Sequence, residues 1–321
     1  MLQQNVIRKL LRDKLDALKL YNSFCRVTIF SVFLVICAGG FVRMTGSGMG
    51  CPDWPKCFGF WVPPLALSDL PYNYKEIYSE KGYDELDFNA FKTWTEYINR
   101  LLGLFSGILC FIILVISFFT RSNLLKFVTF CLVCLFSFQA WMGAMVVYSI
   151  LAPFKITIHM LIALVILSIL TFLYRISSVQ YIKKINGFNK WIWLALSISI
   201  IQIILGTQVR EAVDELLYDV NRSDIITQLP FVFEIHRTIA WLVVVVNTLL
   251  IYHYKYFFNL YAELKAIIFI ILGLILTGIL MAYFNFIAIG QLLHLILAVL
   301  LFFVQWSFLL KQSKIPNLTS P

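Results

Sequence analysis

Apolar residues fall in long unbroken stretches along this chain, with shorter polar stretches between them. Eight runs stand out, at roughly 24–42, 98–119, 124–148, 157–175, 191–209, 232–252, 265–286 and 291–310. Each reaches about 18 residues or more, the length a helix needs to cross the hydrocarbon core of a bilayer. Backbone N–H and C=O groups in lipid must be satisfied within their own segment, so the runs are expected as helices. The expected fold is an all-α membrane protein with eight transmembrane helices. Composition agrees: of 321 residues, 60% are hydrophobic and only 13% charged, with a mean hydropathy of +0.84. A soluble domain carries about a quarter charged residues to cover its surface.

The polar stretches set an orientation. The N-terminal tail holds Arg8, Lys9, Arg12, Lys14, Lys19 and Arg26. The segments after the second, fourth, sixth and eighth runs hold Arg121 and Lys126; Arg175, Lys183, Lys184 and Lys190; Lys255 and Lys265; and Lys311 and Lys314. Among the acids, only Asp13, Asp16 and Glu263 share that side. Basic residues favour the cytoplasmic face, so both termini are expected there. The net charge of +9 is therefore a topology signal and gives no support for nucleic-acid binding. Leucines at helical spacing in "VIRKLLRDKLDALKL" suggest that residues 1–23 form an amphipathic tail along the inner surface. Its Asp13 and Asp16 argue against a mitochondrial transit peptide.

Two parts of the chain answer one another. "WMGAMVVYSILAPFKITIHM" from Trp141 aligns with "LTGILMAYFNFIAIGQLLHL" from Leu276, matching Gly143 with Gly278, Tyr148 with Tyr283 and His159 with His294. "EYINRLLGL" from Glu96 answers "EIHRTIAWL" from Glu234, pairing Asn99 with His236 and Arg100 with Arg237. "GGFVR" at 39–43 answers "GTQVR" at 206–210. These matches predict two tandem four-helix bundles related by internal duplication: an N-terminal half over 24–180, with an outer loop over 43–95, and a C-terminal half over 181–321. An even number of helices per half makes the copies parallel.

Three of the four histidines stand among these matches. An ionisable side chain inside a membrane helix is a functional candidate, because burying it without a partner is costly. His236 and His294 each stand near the start of a helix that begins on the outer side. Facing helices can hold such a pair on the two sides of a heme, whose iron accepts axial imidazole. In the N-terminal half His159 keeps its place, but Asn99 stands where His236 stands in the other. A heme there would take His159 and have one face without an imidazole, which suits chemistry better than electron transfer. Glu96, three residues before Asn99, shares its helix face. His253 has no counterpart and reads as interfacial.

The stretches "GGFVRMTGSGMGCPDWPKCFGFWVPP", "EYINRLLG", "QAWMGAMVV", "IHM", "QIILGTQVRE", "EIHR" and "LLHLILAVLLF" together resemble the heme A synthase family, over about 30 to 310. That resemblance implies oxidation of a porphyrin methyl of heme O to the formyl of heme A for terminal oxidase assembly. It implies a heme b cofactor on His236 and His294, the substrate heme near His159 and Asn99, and Glu96 as the catalytic glutamate. Asn99 departs from the pattern, since many members have histidine there.

The turn "RMTGSGMGCPDWPKC" then has a reading. Its glycines permit tight turns and its prolines stiffen it. Cys51 and Cys57 are close enough in sequence for a disulfide, and the resemblance implies one over the substrate site. Arg43, Arg100, Arg210 and Arg237 recur at the outer helix ends of both halves and are candidates for the heme propionates, since arginine binds carboxylate bidentately. The other cysteines, with Cys131 and Cys134, read as core. Two other function classes compete: a membrane cytochrome b that only transfers electrons, and a thiol–disulfide exchange protein built on Cys51 and Cys57. The first leaves Glu96 and the loop without a role, and the second does so for the histidines. By the resemblance, the expected location is the bacterial inner membrane. Candidate partners are heme O, heme O synthase, oxidase assembly factors, the lipid bilayer and a second copy of the chain.

Overall fold

The computed structural model describes residues 2–149, 154–178, 190–219, 221, 224–259, 261–284 and 286–312, with side chains from Arg12 onward apart from Lys81, Tyr218, Asp219 and Phe257. Among them are eight long helices, each apolar and long enough to cross a membrane. They are α1 (Leu2–Met44), α2 (Ala90–Ser117), α3 (Asn123–Tyr148), α4 (Lys155–Ser177), α5 (Lys190–Asp219), α6 (Val232–His253), α7 (Ala262–Tyr283) and α8 (Ala288–Gln312). No strand occurs among the described residues; one isolated bridge joins Cys57 and Phe60. The chain is a multi-pass membrane protein.

The helices begin and end where local chemistry directs. Asn89 caps α2 by accepting from the Lys92 N–H at 3.0 Å, and Ser122 caps α3 by accepting from the Leu125 N–H at 3.3 Å. α2 starts eight residues before the apolar run from which it was expected, because that cap and the polar Thr93 and Glu96 belong to its first turns. α5 likewise runs past its apolar run through Arg210 to Asp219. The expected tail is the first part of α1, in one uninterrupted helix. The side chains of Arg8 and Lys9, and residues Lys183, Lys184 and Lys314, lie outside the described residues.

The chain packs as two compact units: residues 2–149 with 159–178, and residues 154–158 with 190–312. In the first, α1 lies on α2 with Ser31 and Ser106 hydroxyls 2.6 Å apart, and it reaches α3 where Tyr21 meets Thr129 at 2.6 Å. The Asn22 amide donates to the Tyr174 carbonyl of α4 at 2.8 Å. In the second unit, Asn247 of α6 accepts from Gln305 of α8 at 2.9 Å, both side chains being buried. Lipid gives helices little hydrophobic reason to associate, so such polar contacts and small residues decide where they touch. Cys25 and Cys110 are core residues. Cys131 and Cys134 are exposed on α3, contrary to expectation. An outward membrane-helix face is solvated by lipid, so a thiol is tolerated there without burial in protein.

The segment between α1 and α2 is itself folded. Phe58 is buried at its centre, with ring-edge contacts at 5.6–6.2 Å to Tyr74, Tyr78, Tyr83 and Phe88. Both cysteines are buried in the same cluster. Burial pushes the Tyr83 phenol above its ordinary range, helped by the nearby Glu96 carboxylate. The Tyr83 hydroxyl donates to the Met49 carbonyl.

Candidate functional site

Asn99 on α2, His159 on α4, His236 on α6 and His294 on α8 all stand within the first three turns of their helices. Each is met by a glycine of the preceding long helix, near its far end for Gly39, Gly143 and Gly278 and mid-way along it for Gly206. A methyl group placed on Gly206 of α5 would lie 3.3 Å from Cε1 of His236, and one on Gly278 of α7 would lie 3.7 Å from Cε1 of His294. In the first unit the corresponding distances are 3.5 Å from Gly143 of α3 to Cε1 of His159, and 4.0 Å from Gly39 of α1 to Oδ1 of Asn99. A missing side chain lets a ring pack against the neighbouring helix backbone. Asn99 thus has, against Gly39, the packing place that His236 has against Gly206.

In the second unit the His236 and His294 ring centres are 6.3 Å apart, with their planes inclined by 63°. Two metal–imidazole bonds of about 2 Å each, plus half of each ring, span about 6 Å. At that spacing the two imidazoles would hold one heme iron between them. Both rings keep a nitrogen for that purpose. Nδ1 of His294 lies 2.8 Å from the Thr277 hydroxyl, which leaves Nε2. On His236, Nδ1 is buried and has no partner among the described residues. The Gln202 amide donates to the His236 carbonyl at 2.9 Å. The residues present fit a heme.

The first unit repeats part of this. The Gln139 amide donates to the His159 carbonyl at 2.9 Å, as Gln202 does to His236. Nδ1 of His159 and Oδ1 of Asn99 are buried without a partner among the described residues. Such atoms cost about 1–3 kcal/mol each when they are left without a partner.

Glu96 is 4% exposed, and both its oxygens are engaged. Oε2 accepts from the N–H groups of Gly50 and Cys51 at 2.8 and 3.0 Å; Oε1 accepts from Arg100 at 2.5 Å. The Thr93 hydroxyl donates to the Gly50 carbonyl at 2.9 Å. Position 50 must be glycine here, because a Cβ would stand 2.4 Å from the Lys92 carbonyl oxygen. Arg100 also donates to the carbonyls of Asp53 at 2.7 Å and Lys56 at 2.9 Å. One acid and one arginine, a turn apart on α2, thus hold the Cys51–Cys57 loop onto the helix.

The family model of the COX15-CtaA cytochrome oxidase assembly proteins matches residues 22–306. The chain belongs to this family. Among its COX15-CtaA relatives, a heme A synthase of Pelagibacter ubique (strain HTCC1062) is 26% identical over 86% of this chain and 94% of its own length. The heme A synthase of Wolbachia pipientis subsp. Culex pipiens (strain wPip) is 28% identical over 75% of the chain and 85% of its own. A shorter match, 30% identical over 46% of the chain and 43% of the relative, is to the heme A synthase of Shewanella oneidensis.

In this COX15-CtaA chain Cys51 and Cys57 form a disulfide, with their Cα atoms 4.9 Å apart. Thiol labelling of the unfolded protein is expected to show two more reactive cysteines after reduction than before. Closing so short a loop stabilises by about 2 kcal/mol in the chain-entropy account. Cys51→Ala and Cys57→Ala are therefore expected to lower activity more than folded yield, and the comparison of the two yields is the check.

The remaining arginines are placed as follows. Arg43 stands in the last turn of α1; Arg210 on α5 pairs with Asp214 at 2.7 Å; Arg237 on α6 pairs with Glu234 at 3.3 Å and is mostly exposed. His253 is exposed at the end of α6, with its ring 5.2 Å from that of Tyr254. Sequence reasoning overlooked Gln139, Gln202 and Thr277. Their signal was available: each is a polar residue within an apolar run, close to a glycine that the repeat had matched.

Proposed function

We propose that this chain is a heme A synthase, oxidising a porphyrin methyl group of heme O to the formyl group of heme A for terminal oxidase assembly. The observation that carries this reading is the His236–His294 pair at 6.3 Å within a membrane bundle of this family. Support also comes from relatives named heme A synthase that align along most of their length.

His236 and His294 hold a heme b as resident cofactor; when bound, it supplies one-electron redox capacity. The substrate, heme O, sits against His159 and Asn99. Asn99 offers no strong iron ligand, which leaves one face of the substrate open. Methyl oxidation releases protons, and Glu96 is the carboxylate placed to take them or to steady developing positive charge. Its bonds to Gly50, Cys51 and Arg100 fix its orientation and tie it to the loop over the site. Arg43, Arg210 and Arg237 take the propionates; Arg100, engaged by loop carbonyls and Glu96, contributes to them only alongside that duty. The chain works in a bacterial inner membrane with both termini in the cytoplasm.

Thiol–disulfide exchange is disfavoured by burial. Cys51 and Cys57 are both 0% exposed, whereas exchange needs a sulfur that a thiolate can reach. The test of the proposal is co-expression with heme O synthase in cells that make no heme A, followed by extraction and separation of the hemes. Heme A is the expected product. Heme O alone, from a folded protein loaded with heme b, would overturn the enzyme reading in favour of an electron-transfer cytochrome.

A further inference from the structure

The two units differ at one position beside the shared histidine. The helix that carries Gly278 presents Thr277 to His294; the helix that carries Gly143 has Met142 in the matching place. Thr277 is buried, and its hydroxyl stands 2.8 Å from the Gly273 carbonyl and 3.1 Å from the Leu274 carbonyl, either of which can take its one proton. With that proton so placed, its oxygen is left to accept from Nδ1 of His294, 2.8 Å away. That contact puts the ring proton on Nδ1, leaves the Nε2 lone pair for a metal, and fixes the rotation of the imidazole. Met142 is buried too, but a thioether is a weak acceptor, and Nδ1 of His159 has no partner among the described residues. No acceptor among the described residues fixes which nitrogen of His159 carries the proton.

We infer that Thr277 is a positioning residue that makes the heme at His294 resident, and that Met142 leaves the heme at His159 free to exchange. The inference rests on the proposal that His294 and His159 each face a heme. An enzyme whose substrate and cofactor are both hemes must bind one permanently and release the other in every turnover. A second unit with two imidazoles and an anchored Nδ1, combined in one chain with a first unit with one imidazole and no anchor, meets that requirement.

The test compares Thr277→Val, Thr277→Ser, Met142→Thr and His294→Ala in the full-length protein purified with its heme. Two quantities are read: the rate at which each heme passes to an excess of apomyoglobin, and the midpoint potential of the low-spin heme. Outer-shell partners of metal-bound histidine change metal affinity by about 10–100-fold. Thr277→Val is expected to release its low-spin heme at least about tenfold faster, with a raised potential, because the imidazole becomes a weaker electron donor. Thr277→Ser is expected to restore both values. Met142→Thr is expected to slow release of the first unit's heme by a similar factor. Release rates and potential unchanged in Thr277→Val, with the low-spin heme absent from His294→Ala, would overturn the role of Thr277 while leaving the heme assignment standing. A low-spin heme unaffected by His294→Ala would overturn the assignment itself and this inference with it. If Thr277→Val does not fold, Met142→Thr decides alone, and an unchanged release rate there overturns the inference.

Discussion

Glu96→Gln is expected to stop heme A formation while the heme held by His236 and His294 remains bound. Glu96 and the His236–His294 pair lie in different compact units, so losing one carboxylate should leave the second unit's spectrum as it was. The effect in the first unit has two components. A carboxamide cannot accept a proton near neutral pH, and losing a general base lowers a rate by about 10²–10⁴. It also removes one half of a buried ion pair, since Arg100 meets Glu96 at 2.5 Å with both side chains largely covered. Leaving one charge of such a pair without its partner destabilises by about 3–5 kcal/mol, although the loop carbonyls that Arg100 also contacts will offset part of that. The loop end at Gly50 and Cys51 should therefore loosen as well. Extracted hemes should show heme O, with a hydroxylated heme O if the reaction stalls after its first oxidation. Normal heme A from this variant would remove Glu96 from the mechanism. Limited proteolysis between residues 45 and 89 separates the two components. If cleavage is as fast as in Cys51→Ala, the carboxylate acts mainly by holding the loop; if cleavage is as slow as in the parent, it acts mainly on the proton.

The eight helices were legible because lipid imposes one rule on every segment, and an apolar run of sufficient length states it directly. Their ends were less so. α2 begins with Thr93, Trp94 and Glu96, which no hydropathy argument would place in a membrane helix, and it begins there because Asn89 caps it and the loop packs against its first turns. The histidines could be found because polar anchors are rare in this chain and recur in order. What Glu96 touches could not be found that way. Besides Arg100, its partners are the backbone N–H groups of residues 50 and 51, and a backbone donor has no signature in the side-chain sequence. The same holds for the Phe58 cluster: five aromatic residues spread over thirty positions have no period, and their convergence depends on the turns between them. Gly50 was read as permitting a tight turn, whereas the structure uses its missing side chain to let the loop backbone approach Lys92.

His236→Ala and His294→Ala are each expected to abolish the sharp reduced bands of a low-spin heme in the purified protein. Alanine removes one axial nitrogen and leaves a cavity in its place, since Gly206 and Gly278 have no side chain with which to fill it. The two variants should still differ. His294 is anchored through Nδ1 to Thr277, so in His236→Ala the surviving ligand stays aligned, and heme should be retained in a high-spin, five-coordinate form. In His294→Ala the survivor is His236, whose Nδ1 has no partner among the described residues and whose ring is met only by the Gln202 amide, at a longer 3.4 Å from Nε2. That variant should lose most of its heme during purification. Heme content by pyridine hemochrome and spin state by electron paramagnetic resonance make the comparison. Unchanged spectra in both variants would move the low-spin heme to the other unit. Equal heme loss in both would show that the closely and the loosely held imidazole contribute alike, and that 6.3 Å of separation, rather than the orientation of either ring, determines retention.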